Sequence, residues 1–171
     1  QYETQAILHS FENAGYEISP ASPDTDVFII NSCTVTSTGD QKTRQMLHKY
    51  KRANPHSVVV LTGCYPQAFP EEALNLYGAD VITGTGNRRD IPEYVARFLA
   101  SRQRVVEIRP HEKGETFEDL SVSSFEGRTR AYLKIPDGCD NRCAYCIIPT
   151  ARGHVRSKRP EEHRKEAEQL A

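Results

Sequence analysis

Apolar residues along this chain fall into two alternating patterns. Between Tyr2 and Ala14 they recur at helical spacing, with Ala6, Ile7, Phe11 and Ala14 on one face and Gly15 as a stop. Val27-Phe28-Ile29-Ile30 is instead a short continuous apolar run, the signature of a strand covered on both faces. The alternation then repeats. A polar turn leads into a Lys-, Arg- and Gln-rich helix over Thr38–Ala53, followed by the apolar run Val58-Val59-Val60-Leu61. A shorter helix begins after Pro70, and Val81-Ile82-Thr83 is a third strand closed by Gly84 and Gly86. Asp90 is placed to cap a helix over Ile91–Ala100 with Pro92 in its first turn, and Val105–Ile108 is a fourth strand. Helices alternating with fully apolar strands predict an α/β domain over residues 1–108, a mostly parallel sheet with flanking helices. Ligands of such sheets sit beyond the carboxyl ends of the strands. Cys33 lies three residues past Ile30 and Cys64 three past Leu61, so both thiols are expected at the same sheet edge.

Residues 109–127 are polar and without periodicity, and read as a linker. A second unit over residues 128–171 restarts with the strand Ala131–Ile135, continues into a cysteine-rich loop and ends in a helix beginning near Pro160. The composition, 37% hydrophobic and 26% charged in 171 residues, is that of a folded chain and not a disordered one. No apolar run approaches the ~20 residues of a membrane span, and no leader pattern is present, which disfavours membrane and secreted readings. Both ends read as cut: the chain starts at Gln1, its single Met is Met46, and it closes in a charged helical stretch without a stop signal. The net charge of −1 is unevenly spread. Arg128–Lys165 holds ten Lys and Arg against four Asp and Glu, a basic segment suited to an anionic substrate or simply to a solvated face.

Candidate chemistry lies in the five cysteines, Cys33, Cys64, Cys139, Cys143 and Cys146. An odd number in a chain with a sizeable core disfavours a disulfide framework and favours a reducing, cytoplasmic setting for metal or redox chemistry. Cys139, Cys143 and Cys146 follow the spacing C-x3-C-x2-C. Three thiolates on one short loop suit three irons of a cubane cluster and leave the fourth iron open to a ligand. A zinc site completed by His154 or His163 is the alternative, but zinc favours C-x2-C pairs with a distant second pair, which this sequence lacks.

The stretch Tyr132–Asn141, continued by Cys146-Ile147-Ile148-Pro149-Thr150-Ala151-Arg152-Gly153 and Val155–Pro160, resembles the opening of the radical domain of S-adenosylmethionine-dependent methylthiotransferases. Ile30-Asn31-Ser32-Cys33-Thr34-Val35-Thr36 and Leu61-Thr62-Gly63-Cys64-Tyr65 are similar to two of the three cysteine motifs in that family's N-terminal domain. The resemblance implies that residues 128–171 begin a partial TIM barrel, with its first strand and cluster loop. It implies two [4Fe-4S] clusters in the complete protein, one on Cys139, Cys143 and Cys146 and an auxiliary one on Cys33, Cys64 and a third cysteine expected upstream of Gln1. Tyr145 takes the place of the aromatic that accompanies the radical loop, beside bound S-adenosylmethionine. The activity implied is addition of a methylthio group to C2 of an adenosine in the tRNA anticodon loop. Its electron donor would be a flavodoxin or ferredoxin. Ser32-Cys33-Thr34-Val35-Thr36, followed by Lys42-Thr43-Arg44-Gln45, is similar to the branch that modifies threonylcarbamoyladenosine. The alternatives are branches acting on isopentenyladenosine or on a ribosomal-protein aspartate, or an Fe–S module without radical chemistry. Arg152, Arg156, Lys158 and Arg159 are candidate contacts to tRNA phosphates or the cofactor. As a piece of a longer protein, the chain alone is expected to be inactive.

Overall fold

The apolar runs Val58–Leu61 and Val81–Thr83 become strands buried on both faces, while the outer runs at Val27–Ile30 and Val105–Val106 are strands covered more fully on one face. A computed structural model describes residues 2–34, 37–118, 120 and 131–170. Strands β1 (Val27–Ser32), β2 (Val58–Gly63), β3 (Val81–Thr83) and β4 (Val105–Glu107) form one parallel sheet in the order β1-β2-β3-β4. All six residues of β2 are buried, and alternate side chains serve opposite layers. Val58 and Val60 pack with Ile7 and Phe11 of α1 (Tyr2–Asn13) and with Ile91, Tyr94 and Val95 of α5 (Ile91–Ser101). Val59 and Leu61 pack with Leu47 of α2 (Ser37–Ala53), Tyr65 of α3 (Cys64–Ala68) and Ala73 of α4 (Pro70–Leu74). Each such side chain contributes about 1.5–3 kcal/mol on burial, which makes the two apolar layers the main stabilising term of the sheet domain.

The expected alternation is therefore present, with three local differences. Asp90 stands at the N-cap position of α5 but makes no side-chain cap bond; its carboxylate instead accepts a hydrogen bond from Tyr94 Oη at 3.4 Å, one turn along. The helix α3 starts at Cys64 itself, immediately after β2, whereas the sequence pattern placed the next helix only after Pro70. Residues 131–135 are not a regular strand. The local pairing is a two-residue antiparallel ladder between β5 (Pro136–Asp137) and β6 (Arg156–Ser157), extended by the Lys158 amide donating to Ile135 O at 3.1 Å. A strand exists only where a neighbour takes up its hydrogen bonds, and among the described residues no other segment pairs with 131–135.

Two more helices follow the cysteine loop, α6 (Ile148–Arg152) and α7 (Pro160–Leu170). The latter matches the helix expected at Pro160. It is fastened to α1 by Tyr2 Oη, 2.7 Å from Glu166 Oε1, while Lys158 Nζ lies 2.9 Å from Glu166 Oε2 with both side chains almost fully buried. Among the described residues no helix is long and apolar enough to cross a membrane.

The turn from β2 into α3 depends on Gly63. Its φ is +101°, and a Cβ there would stand 2.5 Å from Ser32 O and 2.7 Å from Asn31 Oδ1 of the neighbouring strand. Gly63→Ala is expected to cost about 2–5 kcal/mol, combining positive-φ strain with overpacking. Chemical denaturation reads this directly, and an unchanged midpoint would contradict the close approach of the two strand ends.

Candidate functional site

Parallel register brings the first pair of cysteines together. Ser32 and Gly63 are partners at the ends of β1 and β2, so Cys33 and Cys64, the next residues of each chain segment, leave the same carboxyl edge side by side. Ser32 ties the edge further: its hydroxyl donates to Thr62 O at 2.7 Å and accepts from the Tyr65 amide at 3.3 Å. The two thiols differ in setting. Cys33 is exposed, whereas Cys64 is buried at the start of α3. Burial pushes the Cys64 thiol above its ordinary value, and the guanidinium of Arg152 opposes that shift without cancelling it.

The second cysteine set sits on the loop between β5 and α6. Its base is pinned where the Cys139 amide donates to Gly153 O at 3.1 Å, and its far end where the Cys146 amide donates to Cys143 O at 3.0 Å. Gly138 is required at the loop entrance: its φ is +79°, and any Cβ would collide with the backbone of Gly153 and His154. Cys143 is exposed, Cys139 and Cys146 half-buried, and Tyr145 is 93% exposed. His154 Nδ1 pairs with Asp140 at 2.7 Å. Among the described residues no group of three or more His, Cys, Asp or Glu side chains converges as on a single metal ion. Soft thiol donors, three within one accessible loop, nevertheless fit an iron–sulfur group by donor chemistry.

Helix packing fastens the segment that follows the cysteine loop to the sheet edge that carries Cys64. α6, which follows the loop directly, packs against α3, which carries Cys64. At this contact Arg152 Nε donates to Cys64 Sγ at 3.1 Å. The same guanidinium forks onto Glu3 of α1: Nη2 lies 3.0 Å from Oε2, and Nη1 pairs with Oε1. Glu3 also accepts a hydrogen bond from Lys134 Nζ at 2.6 Å, and Arg88 Nη2 stands 3.2 Å from its Oε1 as an ion pair. Arg88, only 1% exposed in its side chain, bonds Glu118 at 2.9 Å, and Lys134 bonds Asp137 at 2.7 Å. A second branch runs from Asp137 to Arg156 at 3.6 Å, then to Glu115 at 3.1 Å and His111 at 2.9 Å. Burial alone would raise the Glu3 carboxyl, but Arg88, Arg152 and Lys134 outweigh it and hold the group ionised far below the usual carboxylate range.

This network corrects one expectation. Arg152, Arg156 and Lys158 are spent on internal carboxylates, so they are not free to meet phosphates; Arg159 alone of the four is exposed. Glu3, the hub, carries no sequence signal beyond that of an acidic residue in a helix's first turn.

A thiol-bearing parallel-sheet domain is what the fold defines, and the uncharacterized protein family UPF0004 matches residues 1–84. Along nearly its whole length the chain is similar to proteins named as methylthiotransferases. It is 44% identical over 169 residues to the threonylcarbamoyladenosine tRNA methylthiotransferase MtaB of Bacillus subtilis (strain 168), covering 99% of this chain and 38% of that relative. It is 33% identical over 177 residues to the tRNA-2-methylthio-N(6)-dimethylallyladenosine synthase of Pelotomaculum thermopropionicum, covering 100% of this chain and 39% of that one. The ribosomal protein uS12 methylthiotransferase RimO of the same organism is 30% identical over 175 residues, with 99% and 38% covered. The chain thus spans well under half the length of these relatives.

Replacing the hub isolates its contribution. Glu3→Gln leaves Arg88, Lys134 and Arg152 facing one another without their shared anion, a loss of about 3–5 kcal/mol at pH 7. Because the native carboxyl is depressed, wild-type stability from Glu3 is full above pH 4.5 and drains away as pH falls below it. Denaturation midpoints at pH 7 and pH 3 should therefore differ less for Glu3→Gln than for the wild type. Parallel pH dependence would remove Glu3 from its place as hub.

Proposed function

We propose that this chain is part of a radical S-adenosylmethionine-dependent tRNA methylthiotransferase of the threonylcarbamoyladenosine branch. The observation that carries the reading is the docking of the C-x3-C-x2-C loop segment onto the sheet edge that presents Cys33 and Cys64, through α6 on α3. Residues 1–108 act as the sheet domain, 109–127 as the connection, and 128–171 as the start of the radical domain. In this reading Cys139, Cys143 and Cys146 hold one [4Fe-4S] cluster, and Cys33 and Cys64 supply two ligands of a second. When bound, the clusters and S-adenosylmethionine supply the one-electron and sulfur chemistry. This chain's own residues shape and present the ligands. Gly138 and Gly153 shape the loop, the Cys139 amide anchors its base, and the exposed Tyr145 ring lies open beside Cys146 for contact with S-adenosylmethionine.

The branch is supported by the gradient of identity, 44% to the relative named for threonylcarbamoyladenosine, 33% to that named for dimethylallyladenosine and 30% to the ribosomal-protein enzyme. The substrate is then the adenosine beside the tRNA anticodon, a single-stranded loop whose bases can be turned out toward a cofactor. The setting is cytoplasmic, with a flavodoxin or ferredoxin as electron donor.

In the complete protein, Ala at any one of Cys139, Cys143 and Cys146 should bring reductive 5′-deoxyadenosine release down to background. Wild-type release in all three variants would sink the assignment. Digested tRNA from cells lacking the complete protein should contain threonylcarbamoyladenosine without its methylthio group by mass spectrometry. A deficit confined to isopentenyladenosine or to a ribosomal aspartate would overturn the branch while leaving the family reading standing.

A further inference from the structure

Arg152 links the two cysteine sets in a way the reading above does not use. Its position follows Cys146 by one short helix, yet its Nε–H points at the sulfur of Cys64, which belongs to the sheet domain. The guanidinium cannot swing aside freely. Nη1 and Nη2 are both engaged by the Glu3 carboxylate, and Asp137 Oδ1 lies 3.4 Å from Nη1. Glu3 is in turn held by Arg88 and Lys134. A guanidinium forked onto a fixed carboxylate presents its Nε edge in one direction, and here that edge meets Cys64 Sγ at 3.1 Å.

We propose that Arg152 is a positioning residue for the auxiliary cluster: it donates a charge-assisted hydrogen bond to the Cys64 thiolate and thereby orients this ligand and raises the cluster's reduction potential. The inference rests on the proposed ligation by Cys64. Its physical basis is that a hydrogen bond and a positive charge at a ligand sulfur stabilise the more negative, reduced state of an iron–sulfur group. Because Arg152 lies in the segment that follows the radical loop, the bond forms only when that segment is docked on α3. The potential of one cluster then reports the seating of the other cluster's loop.

The test uses the complete protein carrying Cys139→Ala, Cys143→Ala and Cys146→Ala together, so that only the auxiliary cluster remains. After anaerobic reconstitution, iron and sulfide analysis should find one [4Fe-4S] cluster per chain. No cluster in this protein overturns the ligation reading itself. With the cluster present, a potentiometric titration followed by electron paramagnetic resonance gives its midpoint. Arg152→Gln in this background should shift the midpoint downward with iron content retained. Arg152→Lys, which keeps the charge but not the planar Nε donor, should fall between the two. Glu3→Gln, which keeps the donor, should shift it less than Arg152→Gln. If Arg152→Gln loses iron, the Arg152→Lys midpoint decides. A midpoint and resonance unchanged in the Arg152 variants, with the cluster in place, would overturn the inference while leaving ligation by Cys64 intact.

Discussion

One buried carboxylate, that of Glu3, sets the relative placement of most of what matters in this chain. Three cations converge on it from three separate segments: Arg88 from the turn after β3, Lys134 from the run into the cysteine loop, and Arg152 from the helix after it. Taking one anion and three cations out of water is costly, and the cost is offset only when every partner is in place. That makes the cluster selective: a shift of any one segment leaves an uncompensated charge. The exposed pair Arg97–Glu107, with Arg97 51% accessible, is the contrast; solvent screens such surface pairs and they constrain little.

The apolar layers and the ionic cluster divide the work. Hydrophobic burial on both faces of β2 holds the sheet, and the sheet's register sets Cys33 beside Cys64. Among the described residues nothing apolar of comparable extent joins the cysteine loop to the sheet: the third apolar cluster is small, with Tyr2, Ala6 and Leu120. Polar groups make that junction instead, through the Glu3 hub, the Tyr2–Glu166–Lys158 chain and the hydrogen bonds of Thr85 Oγ1 to Ala151 O at 2.9 Å and with His111 Nε2 at 3.0 Å. A polar junction gives orientation more than adhesion, which suits a site whose ligands come from two segments distant in sequence.

How much of this was legible in the sequence follows from the range of each interaction. Strands Val27–Ser32 and Val58–Gly63 were readable because burial leaves an uninterrupted apolar run, and the shared edge for Cys33 and Cys64 followed from spacing. The start of α3 at Cys64 was hidden, since Gly63 marks a turn but not its sharpness. The run Ala131–Ile135 has strand composition, yet the ladder forms further on, at Pro136–Asp137 opposite Arg156–Ser157. Pairing is a property of two segments, and one segment's composition cannot report it. Arg152 and Arg156 looked like surface cations because local sequence shows charge but not partner; their carboxylates lie far away at Glu3 and Glu115.

The central claim is that Glu3 fastens the cysteine-loop segment to the sheet domain. Amide hydrogen exchange tests it most directly, comparing the wild type with Glu3→Gln at neutral pH. The Cys139, Ala151 and Gly153 amides, which donate to Gly153 O, Ile147 O and Pro149 O, should lose protection together, while the amides of the buried β2 strand keep theirs. Unchanged protection at those three amides, or an equal loss across β2, would contradict the claim.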